Sequence, residues 1–267
     1  MSIELDFTII RSFYHISPQG FDVPLAEMPA VDLLDQAKAK EVLERTGELW
    51  KACGNELPVS YIGMTMFNFC VTSLFFSARD QVWPKFKLKD MTFQMEQHDD
   101  HAHVGYKLDR LELVPLPQSR EERDTFFRAA WPEWIREMIK PFIESVAHAG
   151  GLKPEMIWSQ FGAQLLSTID YVSNHLQMPD LVERIQGDLT VLHELEPELF
   201  GRRRNPFVHT RRYIENPWSP PDGTFILRSS CCMFDHREDG EKCYNCPRML
   251  PEEREERKKL VLAETQS

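Results

Sequence analysis

The chain has 267 residues, 31 Lys and Arg against 42 Asp and Glu, a net charge of −11 and an apolar fraction of 42%. That length supports one sizeable core, and 17 Phe exclude disorder as a description of the whole. The negative balance excludes a general nucleic-acid binder, whose phosphate contacts need a basic surface. Six cysteines are too few for a secreted disulfide scaffold. The opening Met1-Ser2-Ile3-Glu4-Leu5-Asp6 has acids where an export signal carries bases and an apolar run, so a cytoplasmic, reducing setting is expected. There, clustered cysteines bind metal more often than they pair.

In chain order, the first thirty residues are broken by Pro18, Gly20, Pro24 and Pro29. Asp32 is a candidate cap for a helix over 33–53, stopped by Gly54-Asn55. Residues 57–78 carry no charge and are long enough to span a bilayer. Their load of Ser60, Thr65, Asn68, Thr72, Ser73 and Ser77 points instead to a buried helix of a globular core. Period-two alternation over 91–96 and 104–108 predicts a β-hairpin, continued through Leu111 and Leu113. Its turn, His98-Asp99-Asp100-His101-Ala102-His103, reads as a polar hairpin turn, although His101 and His103 share a strand face as metal ligands do.

Ser119 with Glu122 resembles a capping box, and Pro132 and Pro141 are expected to divide the apolar stretch 126–146 into two or three helices. Further helices are expected over 154–176 and 181–185, then short strands over 207–214 and 224–229 joined by a Pro-rich turn around Trp218. Residues 201–230 hold six arginines (Arg202, Arg203, Arg204, Arg211, Arg212, Arg228) against two acids, a patch suited to steering an acidic partner. The charged run 252–259 reads as a solvated tail helix, and Cys53 and Cys70 as buried apolar thiols.

Cys231, Cys232, Cys243 and Cys246 follow the spacing C-C-x10-C-x2-C. Two intervening residues let both thiolates of the second pair converge on one ion, and four thiolates suit zinc or an iron–sulfur cluster. Adjacent side chains on an extended strand point to opposite faces, which fits a two-iron cluster better than a single zinc. A zinc-stabilised binding or scaffold protein, and an iron–sulfur sensor, remain open at this point.

The run Ser229-Ser230-Cys231-Cys232 followed by Cys243-Tyr244-Asn245-Cys246 resembles the C-terminal signature of the FhuF-like ferric siderophore reductases, ten-residue gap included. Upstream, Ile157-Trp158-Ser159, Asn205-Pro206 and Arg228 add to the resemblance. It implies a [2Fe–2S] cluster on Cys231, Cys232, Cys243 and Cys246, and one-electron reduction of Fe(III) in a hydroxamate-type siderophore, releasing Fe(II) in the cytoplasm. Fe(III) is a hard ion held tightly by anionic oxygens, whereas Fe(II) suits them far less. The chain has no dinucleotide-binding G-x-G-x-x-G, so a separate donor such as a ferredoxin or flavin reductase is expected. No residue beyond the cluster ligands is expected to act chemically; Arg228, Trp218 and Tyr244 are candidates for contacting substrate, with Phe234 as a further apolar neighbour. No nucleic-acid partner and no membrane-integral segment is expected, with room left for peripheral membrane contact.

The expected architecture is an α+β fold, mostly helical, with antiparallel hairpins. It divides into a body over 1–225, a cluster-binding segment over 226–250 and a charged tail over 251–267.

Overall fold

A computed structural model describes residues 4–98, 101–175, 179–219 and 223–265. Helix α1 (Thr8–Tyr14) ends at His15, whose left-handed backbone turns the chain into β1 (Ile16–Ser17). After β2 (Ala26–Pro29), a 3-10 turn over Ala30–Leu34 leads into α2 (Gln36–Trp50). Asp35 caps α2, its carboxylate accepting from the Ala37 and Lys38 amides at 3.0 Å. Asp32, the expected cap, lies in the 3-10 turn and pairs with Lys38. The helix expected over 33–53 is therefore shorter at both ends, closing at Lys51 in the left-handed region.

Helix α3 (Glu56–Asp80) contains the whole uncharged segment and is the molecule's central element. Among the described residues it is the one helix long and apolar enough to cross a membrane, and 83% of its most apolar stretch is buried. Several of its polar side chains bond within the fold: Thr65 shares a 2.9 Å hydrogen bond with Tyr106, and Thr72 donates to the Asn68 carbonyl. Each large apolar side chain buried here stabilises the fold by about 1.5–3 kcal/mol.

Strands β3 (Val82–Lys85), β4 (Met91–His98), β5 (His101–Leu108) and β6 (Glu112–Pro115) follow. The predicted hairpin is β4–β5, with Met91 opposite Leu108 and His98 opposite His101. It sits in a four-stranded sheet of order β1-β5-β4-β2, which β1 joins in parallel. Gly105 is required there. A β-carbon at that position would lie 2.6 Å from the His15 carbonyl, which accepts from the Tyr106 amide at 2.8 Å. Leu113 does not prolong the hairpin but belongs to β6, which pairs antiparallel with β3 in a separate sheet.

Ser119 caps α4 (Arg120–Trp134), its hydroxyl accepting from the Glu122 amide and bonding the Glu122 carboxylate at 2.7 Å. The prolines do not separate helices as expected. Helix α4 runs through Pro132 into a π-helical turn, Ile135–Ile139, and on into α5 (Lys140–Ala149), with Pro141 in the first turn. A widened turn absorbs the register change that a mid-helix proline imposes.

The helix expected over 154–176 is two, α6 (Glu155–Trp158) and α7 (Phe161–His175), interrupted where Gln160 bonds the Ser60 hydroxyl at 2.9 Å and the Ser159 carbonyl accepts from Ser229 at 2.6 Å. Leu176 lies outside the described residues. Helix α8 (Pro179–His193) is far longer than the 181–185 expected. Asp188, fully buried on it, accepts from Arg123 at 2.8 and 2.5 Å, and Arg123 also donates to the Ser77 carbonyl. One guanidinium thus joins α3, α4 and α8.

Past Asn205, whose side-chain amide donates to the Leu192, His193 and Leu195 carbonyls, the chain forms β7 (Tyr213–Glu215), β8 (Thr224–Ile226) and α9 (Pro251–Thr265). The strands are shorter than expected. Of the turn around Trp218, Pro220, Pro221 and Asp222 lie outside the described residues. The result is a mostly helical α+β fold with small, chiefly antiparallel sheets.

Candidate metal centre

The four clustered cysteines meet in a loop between β8 and α9. Strand β8 delivers Arg228, whose amide donates to the Asn245 carbonyl, while Asn245 returns a bond to the Ile226 carbonyl. The Cys246 amide donates to the Cys243 carbonyl at 2.9 Å, making the C-x2-C half a tight turn. Met233, directly after the adjacent pair, has a left-handed backbone (φ 62°), and its amide donates to the Cys231 sulfur at 3.4 Å.

The sulfurs fall into two pairs. Cys231 and Cys246 lie 3.7 Å apart, Cys232 and Cys243 3.9 Å apart. Thiolates bound at about 2.3 Å to one tetrahedral ion stand about 3.8 Å from each other, so each pair has the spacing of two ligands on one metal. Each of the adjacent cysteines finds its partner in the later turn. A four-thiolate donor set split this way fits a two-metal cluster. The first pair is buried; the second is half-buried.

The two pairs differ electrostatically. Burial pushes the Cys231 thiol up to about 12, even though the Met233 amide and Arg248, 3.8 Å away, face its sulfur. Cys232 is pulled down to about 6 by the hydrogen bond with Cys243 and then by the Arg228 charge, and Cys243 rises correspondingly. The Arg228 charge beside Cys232 favours its thiolate, the form in which metals bind.

Helix α9 is more than a solvated tail. Arg254 donates to the Tyr244 carbonyl at 3.0 Å and the Cys246 carbonyl at 2.9 Å, and Arg257 to the Lys242 carbonyl at 2.6 Å. The loop is also stitched to the body. Ala52 bridges Arg237, the Cys53 amide donates to the His236 carbonyl, and Phe234 packs edge-on against Trp50.

Cys232 lines a cleft of about 410 Å³, together with Arg228, Ser230, Phe234, Trp50 and His101. Trp50 is buried, and its indole N–H has no partner within the described structure. Trp218 and Tyr244 stand elsewhere, packed edge-on at 5.5 Å and flanked by Phe225. Arg202 is half-buried and donates to the Ser159 hydroxyl, whereas Arg203 and Arg204 are exposed. Cys70 is buried, as expected; Cys53 is exposed, because α2 ends before it.

The hairpin histidines, read from sequence as a turn, converge in space. His101 and His103 present their Nε2 atoms to each other at 3.0 Å, and His98 stacks on His103 with centroids 4.5 Å apart. His15 stacks on the other side of His103 at 4.6 Å. Burial, then the neighbouring imidazoles, hold the His103 ring at about 4. Sequence spacing placed His101 and His103 on one face and grouped His98 with them in one run; the helix-terminal His15 had no local signal. Asp99 and Asp100 lie outside the described residues.

No curated protein matches the chain. Residues 157–159 and 205–206 lie upstream of the segment that a family model matches. Residues 228–248, which hold all four clustered cysteines, match the FhuF 2Fe-2S C-terminal domain, so the chain carries a domain of that kind and its cofactor is a [2Fe–2S] cluster.

Proposed function

We propose that this protein reduces ferric ion held by an anionic, hydroxamate-type siderophore. Cys231, Cys232, Cys243 and Cys246 would hold its [2Fe–2S] cluster, with Cys231 beside Cys246 and Cys232 beside Cys243 as the two sulfur pairs. The observation that carries this reading is that the half-buried sulfur pair opens on the cleft through Cys232, while the other pair is enclosed. When bound, such a cluster carries one electron at a time, at a potential set by hydrogen bonds and exposure.

The chain's own residues do the rest. The Met233 amide and Arg248 offset negative charge on Cys231, and Arg228 does so on Cys232. The Ser229 hydroxyl, donating to the Ser159 carbonyl, pins the cysteine loop beside α7. Trp50, Tyr61 and Phe234 give the cleft an aromatic wall, and Asn68 and Gln164 offer amide donors to substrate oxygens.

One electron passes to the ferric substrate and none of its bonds is replaced by a bond to protein. The resulting ferrous ion suits the hard oxygens poorly and leaves, and the freed hydroxamates take protons from water. No side chain is needed as acid, base or nucleophile. A separate protein donor returns the electron, since the sequence has no dinucleotide fingerprint.

The test is a single turnover. The chemically reduced protein is mixed anaerobically with a ferric trihydroxamate and a ferrous chelator. The expected result is loss of the reduced-cluster signal with one chelated ferrous ion per electron. Reoxidation by dioxygen but not by the ferric complex would instead favour a sensor.

A further inference from the structure

We propose that His98, His101 and His103 form a binding site for a divalent first-row transition ion, on the same cleft as Cys232. One ring nitrogen from each of these three residues lies within 4.8 Å of those of the other two. Two come from β5 at positions i and i+2, and the third from β4 directly across from His101, so one face of the hairpin carries all three. Two imidazole nitrogens bound at about 2.1 Å and at right angles to one ion stand about 3.0 Å apart. That is the distance between the His101 and His103 Nε2 atoms. A third imidazole on the same side completes a facial set and leaves the remaining positions of an octahedral ion open.

The surroundings orient these rings as second partners orient metal-bound histidines. His15 stacks on His103, held there because Gly105 admits the His15 backbone. Trp50 packs on His101 with ring centroids 4.9 Å apart. The same Trp50 meets Phe234, two residues beyond Cys232, so a single indole links the imidazole set to the cysteine loop. His101, His103 and Cys232 all line the cleft.

Imidazole favours borderline divalent ions over hard trivalent ones. The site therefore suits the ferrous product rather than the ferric substrate, and stands where that product would be freed. Identifying the occupant as ferrous iron rests on the function proposed above; the imidazole site itself does not.

The experiment is cobalt(II) titration of the full, cluster-loaded chain under anaerobic conditions in a non-chelating buffer. The expected result is one cobalt ion bound per chain without sulfur-to-cobalt charge transfer. A His101→Ala/His103→Ala variant should bind at least about tenfold more weakly, since losing even an outer partner of a metal-bound imidazole costs about 10–100-fold. Its unchanged far-UV circular dichroism and urea midpoint report that the body has folded, and its unchanged cluster spectrum reports the same of the cysteine loop. A second readout needs no variant: cobalt should broaden the ring resonances of His98, His101 and His103 in the unaltered protein before those of His148 or His193. No cobalt binding, binding unaffected by the double substitution, or broadening of other histidines first would each overturn the inference. Loss of ferric reduction with cobalt binding intact would strike the proposed function and leave the imidazole site standing.

Discussion

Around α3, the body buries a continuous apolar core that runs from Phe7 to Phe207 and includes Trp131, Trp158, Phe67 and Phe142. Beyond Ile226, the cysteine loop buries a small cluster of Cys231, Cys246 and Met249, edged by Met233 and Cys243. The body has enough apolar area to fold by burial alone. The loop has instead hydrogen bonds from Arg254 and Arg257, contacts to Trp50, and four sulfurs placed to hold metal. A region so poor in core draws its order from its metal, as small metal-bound domains generally do. The two regions should therefore fail independently, and the following substitutions separate them.

The largest effect is expected from Cys232→Ser. Iron and labile sulfide should fall to near zero and ferric reduction with them, while unfolding of the body shifts by less than about 1 kcal/mol. Urea unfolding followed by far-UV circular dichroism, beside iron analysis, reads both. A body that unfolds along with the cluster would erase the contrast.

Asp188→Ala makes the opposite cut. It strands the buried Arg123 guanidinium, which should cost the body about 3–5 kcal/mol in urea unfolding. Below the transition the visible spectrum per folded molecule should be unchanged.

Arg254→Ala removes the donors to the Tyr244 and Cys246 carbonyls. Charged hydrogen bonds of this kind are worth about 1.5–3 kcal/mol. Because the loss is local to the loop, it should appear as faster iron release to a chelator, with the body's unfolding midpoint unmoved.

The smallest effect belongs to the exposed Arg203 and Arg204. Replacing both with Ser should slow electron delivery by an acidic donor a few-fold at low salt, an effect that vanishes at high salt as screening shortens the field to about 3 Å near 1 M. Equal rates at low salt would show that these arginines do not steer.

The two regions also differed in how much of them could be read in advance. The body's outline was legible because burial leaves a pattern: the uncharged run became α3, and the alternation around Phe93 and Tyr106 became β4–β5. Its joints were less so. Whether Asp32 or Asp35 caps α2 depends on which carboxylate reaches two amides, and Pro132 is tolerated because a π turn follows it.

In the cysteine loop the chemistry was legible and the arrangement was not. Spacing grouped the four thiols, yet the division into Cys231 with Cys246 and Cys232 with Cys243 depends on a left-handed Met233 that no propensity favours. The charged run of α9 looked solvated because its partners are loop carbonyls, which leave no mark in a charge pattern. The convergence of His98, His101 and His103 likewise depends on strand register across the hairpin.

The central claim is that four sulfurs hold two bridged irons. Iron, zinc and acid-labile sulfide should be assayed on one sample purified without exposure to air. The account predicts a reddish-brown protein with two irons and two sulfides per chain and negligible zinc. A colourless protein with one zinc and no labile sulfide would contradict it.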